Sequence, residues 1–230
     1  MCSRFVLKSP SQAIANLFKV EKAVDWKPRY NIAPSQMIPI ILHPLDQKKR
    51  QMKMVKWGFV ASWTQGGRLV VNVQSENIDE APVIRESFEK WRCLVPLDGF
   101  YEWRHQAKET RPYFFQMKHK QPFALAGLWA EQQVEGEKIE SCSLLTTHPN
   151  DLVKAVHSRM PVIVDEKDYE LWLDSDLRDH RELERLFKPY PADKMESYQV
   201  GAWVNNAFHD DPRCMELSNE PETMQLPFEK

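Results

Sequence analysis

The cysteine at position 2, in Met1-Cys2-Ser3-Arg4-Phe5, has the most distinctive chemistry available to this chain. Initiator methionine is usually removed when the next side chain is small. Removal would leave an α-amine and a thiol on the same residue. An α-amine has a reference pKa of about 7.7–8.0, so a useful fraction is neutral and nucleophilic near neutral pH. Such an amine captures an aldehyde as a Schiff base, and the thiol then closes a five-membered thiazolidine. No interior cysteine can do this. The plainer reading is a small residue near a terminus, since most cysteines are not reactive.

Four further groups carry polar chemistry. Glu102 stands in Asp98-Gly99-Phe100-Tyr101-Glu102-Trp103-Arg104. Strand alternation puts Phe100, Glu102 and Arg104 on one face, with Tyr101 and Trp103 on the other. A carboxylate amid three aromatics is partly desolvated and suited to general acid–base work, unless it is an exposed edge-strand glutamate paired with Arg104. His157, in His157-Ser158-Arg159-Met160-Pro161, lies at an element boundary, where an imidazole can shuttle a proton or orient a partner; a lone histidine is more often structural. Asn72 and Gln74, in Val71-Asn72-Val73-Gln74-Ser75-Glu76, share a strand face and can present amides to a substrate or satisfy backbone groups. Arg29-Tyr30-Asn31-Ile32-Ala33-Pro34, with Trp57-Gly58-Phe59 and Trp63 downstream, joins arginine to aromatic rings. That pairing holds single-stranded nucleic acid through phosphates and bases; aromatics at strand spacing are equally at home in a core.

Elements must exist to position these groups. The 230 residues are 42% hydrophobic, 28% charged and 11% aromatic, enough apolar material for a real core. No stretch approaches the ~18–20 apolar residues of a membrane span, and no secretory signal follows the basic residue near the start. Four cysteines (Cys2, Cys93, Cys142, Cys214) form no CxxC pair, so neither a disulfide framework nor a four-cysteine zinc site is expected, and a reducing cytosol is. A net charge of −2 argues against coating nucleic acid through bulk charge but leaves room for a local basic groove.

Residues 9–24 predict a short helix with a Ser/Pro start. Ile38 to Leu42 and Lys53 to Phe59 predict strands around a polar turn at Asp46 to Arg50, and Arg68 to Val73 continues the β pattern. Ile78 to Trp91 reads as a helix. Cys93 to Leu97, Asp98-Gly99 and Phe100 to Arg104 carry a hairpin signal. Further strands are expected at Pro112 to Met117, Phe123 to Trp129, Ile139 to Thr147 and Tyr198 to Val204, with helices near Asn150 to Val156 and Asp165 to Phe187. The pattern predicts one α+β domain over residues 1–230, built on a curved mixed or antiparallel barrel-like sheet with flanking helices.

Taken in order, Cys2 with Arg4-Phe5, Arg29 to Pro34, Trp57-Gly58-Phe59, Asn72 to Glu76, Cys93 to Trp103 and His157 to Pro161 closely resemble the SRAP family, the SOS-response-associated peptidase domain. The tail from Val204-Asn205 to Asp211-Pro212-Arg213-Cys214 resembles that family's closing segment, so the likeness covers essentially the whole chain. The resemblance implies an α+β fold with a positively charged groove, loss of Met1, and a thiazolidine between Cys2 and ring-opened abasic sites in single-stranded DNA. Such a crosslink shields the lesion, with thiol-dependent autopeptidase and lyase-like character. Carried over by residue, Cys2 is the nucleophile and Glu102 the acid–base residue, which also helps reverse the crosslink. His157 assists Schiff-base chemistry, and Asn72 holds the Cys2 end and the reacting group. Arg4 and Arg159 contact phosphates, while Trp63 and Pro34 shape the DNA path.

Two departures stand out. Ser3 replaces the family's usual glycine after the cysteine, adding a Cβ near the backbone. Asn72-Val73-Gln74 replaces Asn-Ala-Arg, exchanging a phosphate-contacting arginine for a neutral amide at Gln74, which predicts weaker and less salt-sensitive binding. The expected partner is abasic single-stranded DNA, held by a cytoplasmic monomer without cofactor, metal or membrane. An N-terminal-nucleophile hydrolase such as a glutamine amidotransferase, and a non-covalent single-stranded DNA-binding module, are the competing readings.

Overall fold

In the computed structural model, which describes residues 3–44, 49–60, 69–106, 109–134, 136–177 and 180–218, most strands divide between two sheets. One sheet closes on itself. Strands β3 (Met37–Leu42), β4 (Gln51–Trp57), β8 (Arg92–Leu97), β11 (Phe123–Val134) and β12 (Glu137–Thr147) form a five-strand ring in the order β12-β4-β3-β8-β11 and back to β12. Closure removes the open edges that invite strand addition. Two short strands, β13 (Met160–Pro161) and β14 (Ile163–Val164), extend the ring on β12 and β11. The three-residue β7 (Asn72–Gln74) runs parallel to the end of β12.

The second sheet orders as β15 (Met195–Gln199), β10 (Glu109–Met117), β9 (Gly99–Gln106), β1 (Arg4–Leu7) and β2 (Arg29–Ile32), with its assigned pairings antiparallel. Phe5, Leu7, Phe100 and Phe115 face the main core with the barrel residues. Their strand neighbours Val6, Tyr101 and Phe114 form a separate cluster with Val200, Val204 and Cys214 of the tail. The sheet is therefore buried on both faces, by the barrel on one side and residues 200–218 on the other. A two-residue ribbon, β5 (Phe59–Val60) with β6 (Leu69–Val70), and helices α1 (Ser11–Leu17), α2 (Pro82–Lys90), α3 (Asp151–Lys154), α4 (Tyr169–Leu173) and α5 (His180–Glu184) complete the α+β domain.

The Asp98-Gly99 signal is not a hairpin. β8 pairs with β3 and β11 in the barrel, whereas β9 pairs with β1 and β10 in the second sheet. Asp98-Gly99 is the corner where the chain changes sheets. Its carboxylate accepts hydrogen bonds from Lys8 N, Ser9 N and Ser9 Oγ at 2.5–2.9 Å. A Cβ at Gly99 would come within 2.3 Å of the Phe114 ring and 2.5 Å of the Phe115 carbonyl oxygen, so only glycine fits. A local dipeptide cannot tell a corner from a hairpin, because the difference lies in which distant strands capture the two arms.

Other boundaries shift for similar reasons. The strand predicted from Lys53 to Phe59 breaks at Gly58, whose φ of 113° ends β4. The helix predicted over 9–24 is only α1, and that over 78–91 is a 3-10 turn at Ser75–Glu80 followed by α2, which starts at Pro82. The segment 165–187 is broken into short α and 3-10 pieces. The strand predicted at 198–204 ends near Val200 and becomes a 3-10 turn, Ala202–Asn205. Cys93 and Cys142 lie far apart in sequence but pack with their sulfurs 3.6 Å apart inside the barrel, and burial pushes the Cys93 thiol up.

Candidate functional site

Glu102 lies on β9, between β1 and β10, so the edge-strand reading does not hold. Alternation turns it to the same face as Phe100, opposite the cross-strand Tyr113. It is 3% exposed, and its Oε1 accepts from the Trp103 N–H at 3.2 Å. A carboxylate so placed is held by its strand and kept from solvent, which limits the rearrangement needed to act on a proton.

His157 reaches the same place from the other sheet system. It follows α3, whose first turn is capped by the Asn150 side chain accepting from Val153 N at 2.9 Å. The His157 N–H then bonds to the Val153 carbonyl. Its Nδ1 stands 4.0 Å from Glu102 Oε2. That same nitrogen lies 3.0 Å from Arg159 N and 3.3 Å from Arg159 O. The backbone N–H can only donate, so the shorter contact makes Nδ1 an acceptor and places the proton of the neutral ring on Nε2.

Arg159, two residues on, is built into the end of β12. Its Nη2 donates to the Thr146 carbonyl at 2.7 Å, while Nη1 and Nη2 meet the two oxygens of Glu76 at 2.9 and 2.8 Å. The Arg159 guanidinium holds the Glu76 carboxyl below its ordinary range. β7 runs beside the same stretch, with Asn72 opposite Leu144 and Gln74 opposite Thr146. Val73 between them is buried, so the Asn72 and Gln74 side chains turn to the other face. The fold thus gathers Asn72, Gln74 and Arg159 around one strand end, next to the His157–Glu102 pair.

Arg4 stands elsewhere. It is paired with Tyr101 across strands and shares the tail-facing side of the second sheet. Its guanidinium lies over the Trp103 ring at 5.8 Å and donates to Asn31 Oδ1 and the Val204 carbonyl. Burial lowers its pKa from the usual arginine value. Pro34 is half-buried in the β2–β3 turn, just before Ser35, whose φ is 71°. Trp57 and Phe59 are fully buried, which decides between their two readings in favour of core. Cys2 and Trp63 lie outside the described residues.

Two groups escaped the sequence reading. Glu76 was visible only as the end of the Asn72 motif; its meeting with Arg159 spans 83 residues. Asp210 binds Tyr30 N and Asn31 N and pairs with Arg29, fastening the tail to β2. Neither partnership has a local signal. Among the described residues no cluster of three or more His, Cys, Asp or Glu side chains could hold a metal, and no helix is long and apolar enough to cross a membrane.

Comparison with known proteins places this geometry in context. The chain is 33% identical over 224 residues to the abasic site processing protein YoqW of Bacillus subtilis (strain 168), covering 94% of this chain and 99% of that protein. It is 27% identical over 223 residues to the abasic site processing protein HMCES of Xenopus tropicalis, covering 83% of this chain and 66% of that one. A crystal structure of a Bacteroides thetaiotaomicron protein superposes with a TM-score of 0.82 at 24% identity, over 94% of this chain and all of that one, which establishes the shared fold. The model of the SOS response associated peptidase (SRAP) family matches residues 1–207, and the chain belongs to that family.

Proposed function

We propose that this chain, acting over residues 1–230 as one SRAP-like domain, binds single-stranded DNA and captures abasic sites covalently through Cys2 once Met1 is gone. The α-amine of Cys2 attacks the aldehyde carbon of the ring-opened sugar, and one water leaves as the imine forms. The thiolate adds to the imine carbon and the nitrogen takes the proton, closing a thiazolidine. Aldehyde plus aminothiol gives thiazolidine plus water, so no oxidant, metal or cofactor enters the balance. Glu102 moves protons during addition and reversal, His157 assists imine formation and opening of the sugar, and Asn72 holds the reacting end. Arg159 and Gln74 face the DNA backbone, with Pro34 and Trp63 along its path, and Arg4, held by Asn31 and the Val204 carbonyl on the other face of the sheet, meets a phosphate where the strand runs past that face. The protein works as a cytoplasmic monomer that joins the nucleoid when on DNA, and the crosslink shields the lesion.

The observation that carries this reading is the buried carboxylate of Glu102 lying 4.0 Å from the His157 ring, a proton-handling pair in a chain whose relatives are named abasic site processing proteins. Incubation of processed protein with an abasic single-stranded oligonucleotide is expected to give a denaturant-resistant adduct without borohydride. Mass spectrometry is expected to place it on Cys2. An adduct unchanged in Cys2→Ala overturns the assignment. Glutaminase activity lost in Cys2→Ala would favour an amidotransferase instead, and equal non-covalent binding with and without the aldehyde would favour a plain binding module.

A further inference from the structure

The two-pronged edge of the Arg159 guanidinium is already filled. Glu76 presents both carboxylate oxygens to Nη1 and Nη2 at 2.9 and 2.8 Å, the same fork-to-fork arrangement an arginine offers to a phosphate. The arginine is the fixed half of the pair. Its side chain is 12% exposed and tied to the Thr146 carbonyl, whereas the Glu76 side chain is 42% exposed at the start of a 3-10 turn. A second partner stands ready for the carboxylate, since His148 Nε2 lies 3.3 Å from Glu76 Oε1. Gln74, opposite Thr146, adds no charge. Arg159 and Glu76 therefore cancel each other where an anion is to arrive.

We propose that Glu76 is a resident stand-in for a DNA phosphate on Arg159, displaced when single-stranded DNA binds. The inference rests on the reading of Arg159 as a phosphate contact. Glu76 then sets affinity: each binding event exchanges a carboxylate for a phosphate, and part of the attraction is spent on that exchange. A bracing role, with Glu76 holding Arg159 in the shape DNA needs, gives the opposite sign.

Fluorescence anisotropy of the full chain with an undamaged oligothymidine reads binding without crosslinking. Glu76→Gln, which keeps shape and removes charge, is expected to tighten binding about three- to tenfold. The slope of log K against log salt should change little, because Arg159 neutralises the same phosphate once Glu76 has left. In an Arg159→Gln background the same substitution is expected to leave binding unchanged. Unchanged or weaker binding in Glu76→Gln overturns the proposal, as does an equal gain in both backgrounds, which would mark a general charge effect. If Arg159→Gln alone leaves affinity and salt slope untouched, the phosphate reading of Arg159 fails and the exchange with it. A melting temperature for each variant separates lost folding from lost binding.

Discussion

Nδ1 of His157 faces two hydrogen-bonding groups of Arg159 and one carboxylate oxygen of Glu102: it accepts from the Arg159 N–H at 3.0 Å while Glu102 Oε2 waits at 4.0 Å. A proton arriving on Nδ1 cannot keep the N–H as partner. The Arg159 carbonyl at 3.3 Å and Glu102 Oε2 at 4.0 Å are placed to accept it. The pair therefore has two arrangements that differ by one proton, the property a general acid–base couple needs.

Removing either half should slow the chemistry and spare non-covalent binding. Glu102→Gln and His157→Gln are each expected to slow adduct formation or reversal by about 100-fold. The double variant should be little slower than the worse single one, because the two act as a unit. Rates of adduct formation and release, set beside anisotropy on undamaged DNA, check this; independent, multiplying effects would separate the two residues.

Gln74→Arg restores the cation of the family pattern at a position opposite Thr146, near Arg159. Tighter binding to single-stranded DNA is expected, with a salt slope steeper by about 0.7. The rate of thiazolidine closure at saturating DNA should stay the same, since the change adds a phosphate contact and no proton donor.

The Glu76 carboxyl titrates below its ordinary range, chiefly through its hydrogen bonds to Arg159. A depressed folded-state value means that the pair's contribution to stability is complete above the unfolded glutamate value and fades as pH falls through the lower folded one. Carboxyl NMR titration should place Glu76 below an ordinary glutamate, and Arg159→Gln should move it back up. A titration unmoved by Arg159→Gln would assign the shift elsewhere.

At the Asp98-Gly99 corner, Gly99→Ala forces a Cβ to 2.5 Å from the Phe115 carbonyl oxygen and 2.3 Å from the Phe114 ring. Backbone must move, so a loss of about 3 kcal/mol in urea unfolding is expected. Glu102 lies three residues along β9, so the surviving folded fraction should also crosslink more slowly.

Much of the candidate site can be read along the chain because its pieces are short runs with local logic. Glu102 in an aromatic strand turns to one face by alternation, and the prediction that Phe100 and Glu102 oppose Tyr101 and Trp103 matches the split between the two cores. What the sequence hides is partnership at long range. Nothing near Asp98 says that β8 and β9 go to different sheets, and nothing near Arg159 names Glu76. The closed ring also depends on a parallel contact between β4 and β12, 85 positions apart between Lys56 and Ser141, which no turn residue announces. Aromatic composition misleads in the opposite direction: Trp57 and Phe59 carry the rings a nucleic-acid surface uses, yet pack inside.

The clamp on β1 has a consequence for how the chain comes off the ribosome. Arg4 bonds to the carbonyl of Val204, and buried Asn31 donates to the carbonyls of Val204, Asn206 and His209. During translation the opening strand must wait for some two hundred further residues before its outer face is roofed. Until then Val6 and Tyr101 are open to chaperones, and the neighbourhood of Arg4 is among the last parts of the fold to be completed.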